Sequence, residues 1–416
     1  TAVANAVAAP GAGEQTNSAA VVVVSQLSPY PDLVVDSVVV EPAAGWAPGS
    51  AVTLRWRVVN GGDSAATAAF ADGITVRNVD TGVTLLATSL AYDPAAEGAI
   101  ASGASRQRSA TLTWPAGVAG TGRIEFRVTT DIDGTVFEAN PSDTAETNNT
   151  ATLVVASAPD LVVRNLRAEP AVISAGGTVT LLWDDVNLGV AATPAGWSDR
   201  VLVRNVDTGE TLLNVALPYD PALPGNAPLA PDATLARSTT LRLPDGVRGS
   251  GRIRVDVFAD QNTAGAGTLI EYDAAGNRAE NNNGAAIEFE SQPRAYADLA
   301  VVSLSAPLTG RGGDAITVGW TVLNQGGVDA AGGWVDRVVL SRNTTIGDAD
   351  DVVLADVVRA DALAAGAQYS ASRSVTLPSL LDGSFYVSVV ADATALVLEP
   401  DTRADNTAAP REIVVE

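Results

Sequence analysis

One ordered set of short signatures comes round three times in this chain, which restricts it to architectures that copy a single supersecondary unit along the polypeptide. Each copy opens on Asp-Leu followed by an aliphatic residue, at Asp32-Leu33-Val34, Asp160-Leu161-Val162 and Asp298-Leu299-Ala300. A segment ending in Trp-x-x-x-Asn follows, at Trp56 to Asn60, Trp183 to Asn187 and Trp320 to Asn324. An Asp-containing segment and a close rich in Glu and then Asn complete the set. Spread over 416 residues, the repeat predicts three units of about 125 to 140 residues, each large enough to bury its own core. The expected boundaries are 29–157, 158–293 and 294–416, behind an extension of residues 1–28.

In the first unit Val52, Leu54, Trp56 and Val58 alternate with Thr53, Arg55 and Arg57, the pattern of a half-buried strand with Trp56 in the core. Val179-Thr180-Leu181-Leu182-Trp183 and Ile316-Thr317-Val318-Gly319-Trp320 repeat it. The turns after it, Asn60-Gly61-Gly62, Asn187-Leu188-Gly189 and Asn324-Gln325-Gly326, are built from residues that tolerate positive φ. Strands at Asp72 to Asn78 and Asp199 to Asn205 lead into a Val-Asp-Thr-Gly turn, whereas Asp336 to Arg342 leads into the acidic loop Asn343 to Asp351. About seven short strands per unit, punctuated by Gly, Pro and Asn, predict an all-β fold of two-sheet sandwiches with Greek-key connections. Linkers of a few residues predict a stiff rod.

The extension carries its own signal. Gln15-Thr16-Asn17-Ser18-Ala19-Ala20-Val21-Val22-Val23-Val24 reads like the close of the first unit, Glu146-Thr147-Asn148-Asn149-Thr150-Ala151-Thr152-Leu153-Val154-Val155. An apolar strand without a sheet seeks an edge. It is expected either to end a preceding unit of a longer protein or to insert into a neighbouring copy and polymerise the chain by strand addition.

Composition removes several function classes. All 25 basic residues are Arg, and 48 carboxylates leave a net charge of -23, so nucleic acid and anionic lipid are not expected partners. Cys and His are absent, which excludes disulfides, Cys or Ser/His nucleophiles and zinc sites of the usual ligands. No run of 18 apolar residues is present, so no membrane insertion is expected. The missing initiator Met suggests a processed chain or a piece of a longer one.

The third unit carries a family resemblance in Trp320-Thr321-Val322-Leu323-Asn324-Gln325-Gly326, Asp336 through Leu340-Ser341, the Asp348-Ala349-Asp350-Asp351 loop, Leu377-Pro378, Gly383-Ser384-Phe385-Tyr386-Val387, Glu399 and Asp405-Asn406. These residues resemble CARDB, the cell-adhesion-related domain found in bacteria, and the likeness extends over nearly all of residues 29 to 416. It implies three tandem immunoglobulin-like sandwiches with an N-terminal extra strand, on an extracellular or cell-surface protein. Units one and two depart by lacking the acidic loop and by the inserts at Tyr92-Asp93-Pro94 and Tyr219-Asp220-Pro221.

Two sets of residues are candidate calcium ligands, since hard cations take oxygen from Asp, Glu, Asn and backbone. One recurs at the end of each unit: Asp131, Glu138 and Asn149; Asp260, Glu271 and Asn282; Asp392, Glu399 and Asn406. The other is Asp348, Asp350 and Asp351, three carboxylates that repel one another without a cation or an Arg such as Arg342. The alternative for both is turn capping by Asn and Asp. An enzyme is not expected, because a catalytic carboxylate pair occurs once in an enzyme whereas these acids recur in every unit. The expected function is a structural or adhesive rod whose partners are other copies of itself, other surface proteins or polysaccharide. A carbohydrate-binding module is the alternative outside that class, with Trp46, Trp114 and Trp197 as its expected platforms.

Overall fold

A computed structural model describes residues 20–26 and 28–416 of the protein. The segment 15–19 of the proposed extra strand lies outside the described residues. Residues 20–26 belong to no strand or helix, and Val21, Val22, Val23 and Val24 are exposed.

The alternating segments form strands in chain order. The first unit contains β1 (Leu33–Glu41), β2 (Ala51–Asn60), β3 (Phe70–Asn78), β4 (Thr84–Tyr92), β5 (Ser105–Thr113), β6 (Gly122–Thr129) and β7 (Thr150–Ser157). The second contains β8 (Leu161–Glu169), β9 (Ile173–Ser174), β10 (Thr178–Asn187), β11 (Trp197–Asn205), β12 (Thr211–Tyr219), β13 (Thr234–Arg242), β14 (Gly251–Phe258) and β15 (Gly284–Gln292). The third contains β16 (Leu299–Ser305), β17 (Thr309–Gly310), β18 (Ala315–Asn324), β19 (Trp334–Ser341), β20 (Val352–Arg359), β21 (Gln368–Thr376), β22 (Gly383–Val390) and β23 (Arg411–Val415).

Each unit pairs a three-stranded sheet with a larger one: β1-β2-β5 with β4-β3-β6-β7, β13-β10-β8 with β12-β11-β14-β15-β9, and β16-β18-β21 with β17-β23-β22-β19-β20. Strand neighbours that are distant in sequence give the crossovers of an immunoglobulin-like sandwich. Three separate hydrophobic clusters fill the interiors, centred on Trp56, Trp183 and Trp320, which are buried as the alternation predicts.

The repeated Trp-x-x-x-Asn has a local cause. Asn60 is fully buried; its Oδ1 accepts from the Asp32 and Gly62 amides, and its Nδ2 donates to the Ser64 and Ile100 carbonyls. Asn187 and Asn324 make the same four bonds, so one side chain fastens the opening strand, the turn and the loop after it. The glycine two residues on is required by close approach rather than by a left-handed backbone. A Cβ on Gly62, Gly189 or Gly326 would lie 2.3, 2.4 or 2.3 Å from the carbonyl oxygen of Tyr30, Ala158 or Tyr296.

Candidate functional site

The recurring acids at the end of each unit are turned inward and occupied. Asp131, Asp260 and Asp392 sit at φ of 45, 46 and 47°, a conformation that Asp tolerates, and each caps the turn that follows. Asp131 accepts from Thr135 and Val136 amides at 2.9 Å, Asp260 from Thr268 and Leu269 at 2.8 and 2.7 Å, and Asp392 from Leu396 and Val397 at 2.8 and 2.9 Å. The glutamates clamp the close of each unit to its opening strand: Glu138 accepts from the Leu33 amide at 2.9 Å, Glu271 from Leu161 at 3.2 Å, and Glu399 from Leu299. Desolvation pushes Glu138 and Glu271 up to about 8 and raises Glu399 as well.

The asparagines divide differently from the sequence expectation. Asn406 donates to Glu399 at 2.7 Å, and the equivalent in the second unit is Asn283, which donates to Glu271 at 2.5 Å. Asn282 is one residue out of phase and instead donates to Asp160 at 2.9 Å, as Asn148 does to Asp32. The run Asn281-Asn282-Asn283 offers no periodicity by which sequence distinguishes them. Asn149, with its amide nitrogen assigned toward the facing oxygens, donates to Leu33 and Ala145 carbonyls at 3.2 and 2.5 Å.

A buried polar group that the sequence reading passed over lies at the centre of each sandwich. The indole N–H of Trp56 donates to Asp72 at 2.9 Å, Trp183 to Asp199 at 3.0 Å and Trp320 to Asp336 at 2.8 Å. Arg108 and Arg237 complete the first two at 3.0 Å each, whereas Trp334 and the Tyr369 hydroxyl complete the third. Burial raises all three aspartates. The second unit holds one acid more. Asp185, fully buried, stands where the inward alternation of the other units places Val58 and Val322, and its Oδ2 lies 3.8 Å from Arg237 Nε. Neither of its oxygens receives a hydrogen bond from a fixed donor. Desolvation, then the charge of Asp199, pushes Asp185 up to about 9. Its in-phase position two residues after Trp183 was the signal available in the sequence.

The acidic loop does bring its residues together. Among the described residues, Asp348, Asp350 and Asp351 are the one group of three carboxylates whose oxygens lie within 4.8 Å of one another. Asn343 Nδ2 bridges Asp348 and Asp350 at 3.1 Å each, Ser341 donates to Asp350 at 3.3 Å, and the Gly347 amide to Asp351 at 2.6 Å. The contact between the two carboxyls lowers Asp348 and raises Asp350 relative to an isolated carboxyl. Arg342 places its guanidinium over the Phe385 ring instead of on the loop. The charge and spacing fit a hard cation, with the bridging amide as its neutral substitute.

The expected sugar platforms are corrected by burial: Trp46, Trp114 and Trp197 are each 3% exposed. Trp46 packs on Trp114 and Phe126 at ring distances of 4.4 and 5.6 Å, and Trp197 on Tyr219 at 4.5 Å. The three rings are therefore part of the packed interior. Polar bonds link neighbouring units beside an apolar cleft between the first two, lined by Trp46, Trp114, Ala191 and Pro194. Tyr272 of the second unit donates to Asp80 of the first at 3.2 Å, beneath Arg123. Tyr296 of the third donates to Asp245 at 3.0 Å and accepts from the Gly246 amide, while Asp401 accepts from the Val247 amide at 3.0 Å.

The chain is built of β-sandwiches in which the recurring glutamates bond to the opening strand of their own unit. The CARDB family model matches residues 30–153 and 296–409, more than half of the chain, and the protein belongs to that family. The family is adhesion-related, immunoglobulin-like and non-catalytic. No curated protein matches. Among solved structures, trypsin-activated α2-macroglobulin from Escherichia coli is 13% identical with a TM-score of 0.19, covering 93% of this chain and 23% of its own. Red sea bream transglutaminase is 11% identical with a TM-score of 0.22, covering 70% of this chain and 37% of its own. The chain therefore spans under two fifths of either protein. Among the described residues no helix is long and apolar enough to cross a membrane.

Proposed function

We propose that the protein is a non-enzymatic rod segment of a bacterial cell-surface adhesin or surface assembly, which spaces and presents binding partners mechanically. The observation that carries this reading is that consecutive units are tied end to end by tyrosine hydroxyls, Tyr272 on Asp80 and Tyr296 on Asp245 and Gly246, while the recurring acids serve their own folds. Strands of nine or ten residues span about 30–34 Å, and with the loops at both ends each unit is about 40 Å long, so a rod of three has a radius of gyration of about 35 Å, against about 22 Å for a compact globule of this length. Small-angle scattering separates these values, and the lower one would overturn the rod. For adhesion, the chain displayed on a non-adherent bacterium should increase the number of cells retained under flow; unchanged retention would leave a spacer without adhesive function.

Calcium on the Asp348, Asp350 and Asp351 loop is a second element of this reading, favoured by the 4.8 Å convergence of their oxygens. It would order the far end of the third unit by neutralising the three carboxylates.

A further inference from the structure

The first unit differs from the other two at one sheet edge. In the second unit β9 lies parallel to the end of β15, pairing Ile173 with Ser291 and Ser174 with Gln292, and the Ala175 amide donates to the Gln292 carbonyl. In the third, β17 covers the end of β23 in the same way, pairing Thr309 with Val414 and Gly310 with Val415. The corresponding stretch of the first unit, from Pro42 to Trp56, is one residue longer and carries Trp46, which leaves the edge to pack into the core on Trp114 and Phe126. Among the described residues, no strand pairs with the outer edge of β7.

The side chains point the same way. Sheet edges that must not recruit foreign strands carry charge or a covering segment. The strand β15 has Glu288 and Glu290, and β23 has Arg411 and Glu412, in addition to their covers. The strand β7, Thr-Ala-Thr-Leu-Val-Val-Ala-Ser, has no charged residue and no strand beside its outer edge; its last residue, Ser157, is buried, but Val154 is 51% exposed. On the same chain, Ala20 to Gln26 is uncharged and unpaired, with Val21 to Val24 between 64 and 77% exposed, and its sequence matches that of a closing strand such as β7 itself.

We propose that Ala20 to Ser25 of one copy adds as a strand to the outer edge of β7 in a second copy. The backbone amides and carbonyls of that edge would pair with the incoming valines, as β9 and β17 pair within their own units. The donor immediately precedes the first unit and the acceptor edge belongs to it, so two copies can exchange reciprocally and close as a pair. The inference goes beyond the rod reading and does not depend on it.

The test uses the full chain with three variants, each at an exposed position: a donor change, Val22→Asp with Val24→Asp; an acceptor change, Val154→Arg; and a control, Val302→Arg, on the third unit. Melting curves establish that all are folded. Sedimentation from about 1 to about 200 μM should show the wild type and the control rising from 42.2 kDa toward twice that mass, while donor and acceptor variants stay monomeric. An equimolar mixture of the donor and acceptor variants should associate again, because each retains the half that the other lacks. A wild type that stays monomeric throughout, or association that survives Val154→Arg, would overturn the proposal. The rod reading is tested separately, by scattering from the monomeric donor variant.

Discussion

Replacing Asp185 by Val should stabilise the second unit, and by an amount that grows with pH. The side chain is fully buried, 3.8 Å from an Arg237 that already serves Asp199, in the place where Val58 and Val322 fill the other sandwiches. Its folded pKa is pushed up to about 9 from 3.8, so between those values the folded chain holds a proton that the unfolded chain releases. That contribution is fully present below pH 4 and is lost as pH rises toward 9, at about 1.4 kcal/mol per pH unit. Over the span from pH 5 to 7.5 the loss is on the order of 3 kcal/mol, which the apolar replacement escapes. For a unit of this size each kcal/mol moves the midpoint by about 3–4 °C, so Asp185→Val should raise it on the order of 10 °C at pH 7.5 and by little at pH 4.5. Calorimetry of wild type and variant at pH 4.5, 5.5, 6.5 and 7.5 reads this directly. Glu138 and Glu271 leave a slope of the same sign in both proteins, so the difference between them is the diagnostic quantity. A difference that is flat across pH, or a variant that melts below wild type at pH 7.5, would refute the reasoning.

Asn187→Ala removes four buried hydrogen bonds and should destabilise the second unit by about 2–4 kcal/mol in denaturant titration; a loss below about 0.5 kcal/mol would mean that water replaces the side chain. Calcium at about 100 times its dissociation constant should add about 2.7 kcal/mol to the third unit relative to chelator, and Asp350→Asn should abolish the gain; identical melting with and without calcium ends that reading. Tyr296→Phe should change unit stability by less than about 1 kcal/mol while broadening the scattering-derived distance distribution, because it loosens a joint and leaves the cores intact; an unchanged distribution would show that the hydroxyl does not hold the joint.

The repeat, the all-β class and the burial of Trp56, Trp183 and Trp320 are legible in the amino-acid order, because strand alternation and turn chemistry are written at spacings of a few residues. That order also determined which acids recur, but their use was decided elsewhere. Glu138 meets Leu33 across 105 residues and Asn282 meets Asp160 across 122, so whether each acid faces a cation or a backbone amide depends on closing the sandwich. The same closure buried Trp46, Trp114 and Trp197, moved the Glu271 partner from Asn282 to Asn283, and set Asp185 beside Asp199. A composition count sees an acid or an indole; only the packed pair of sheets fixes what lies within 3 to 4 Å of it, and that neighbourhood sets its charge, its exposure and its role.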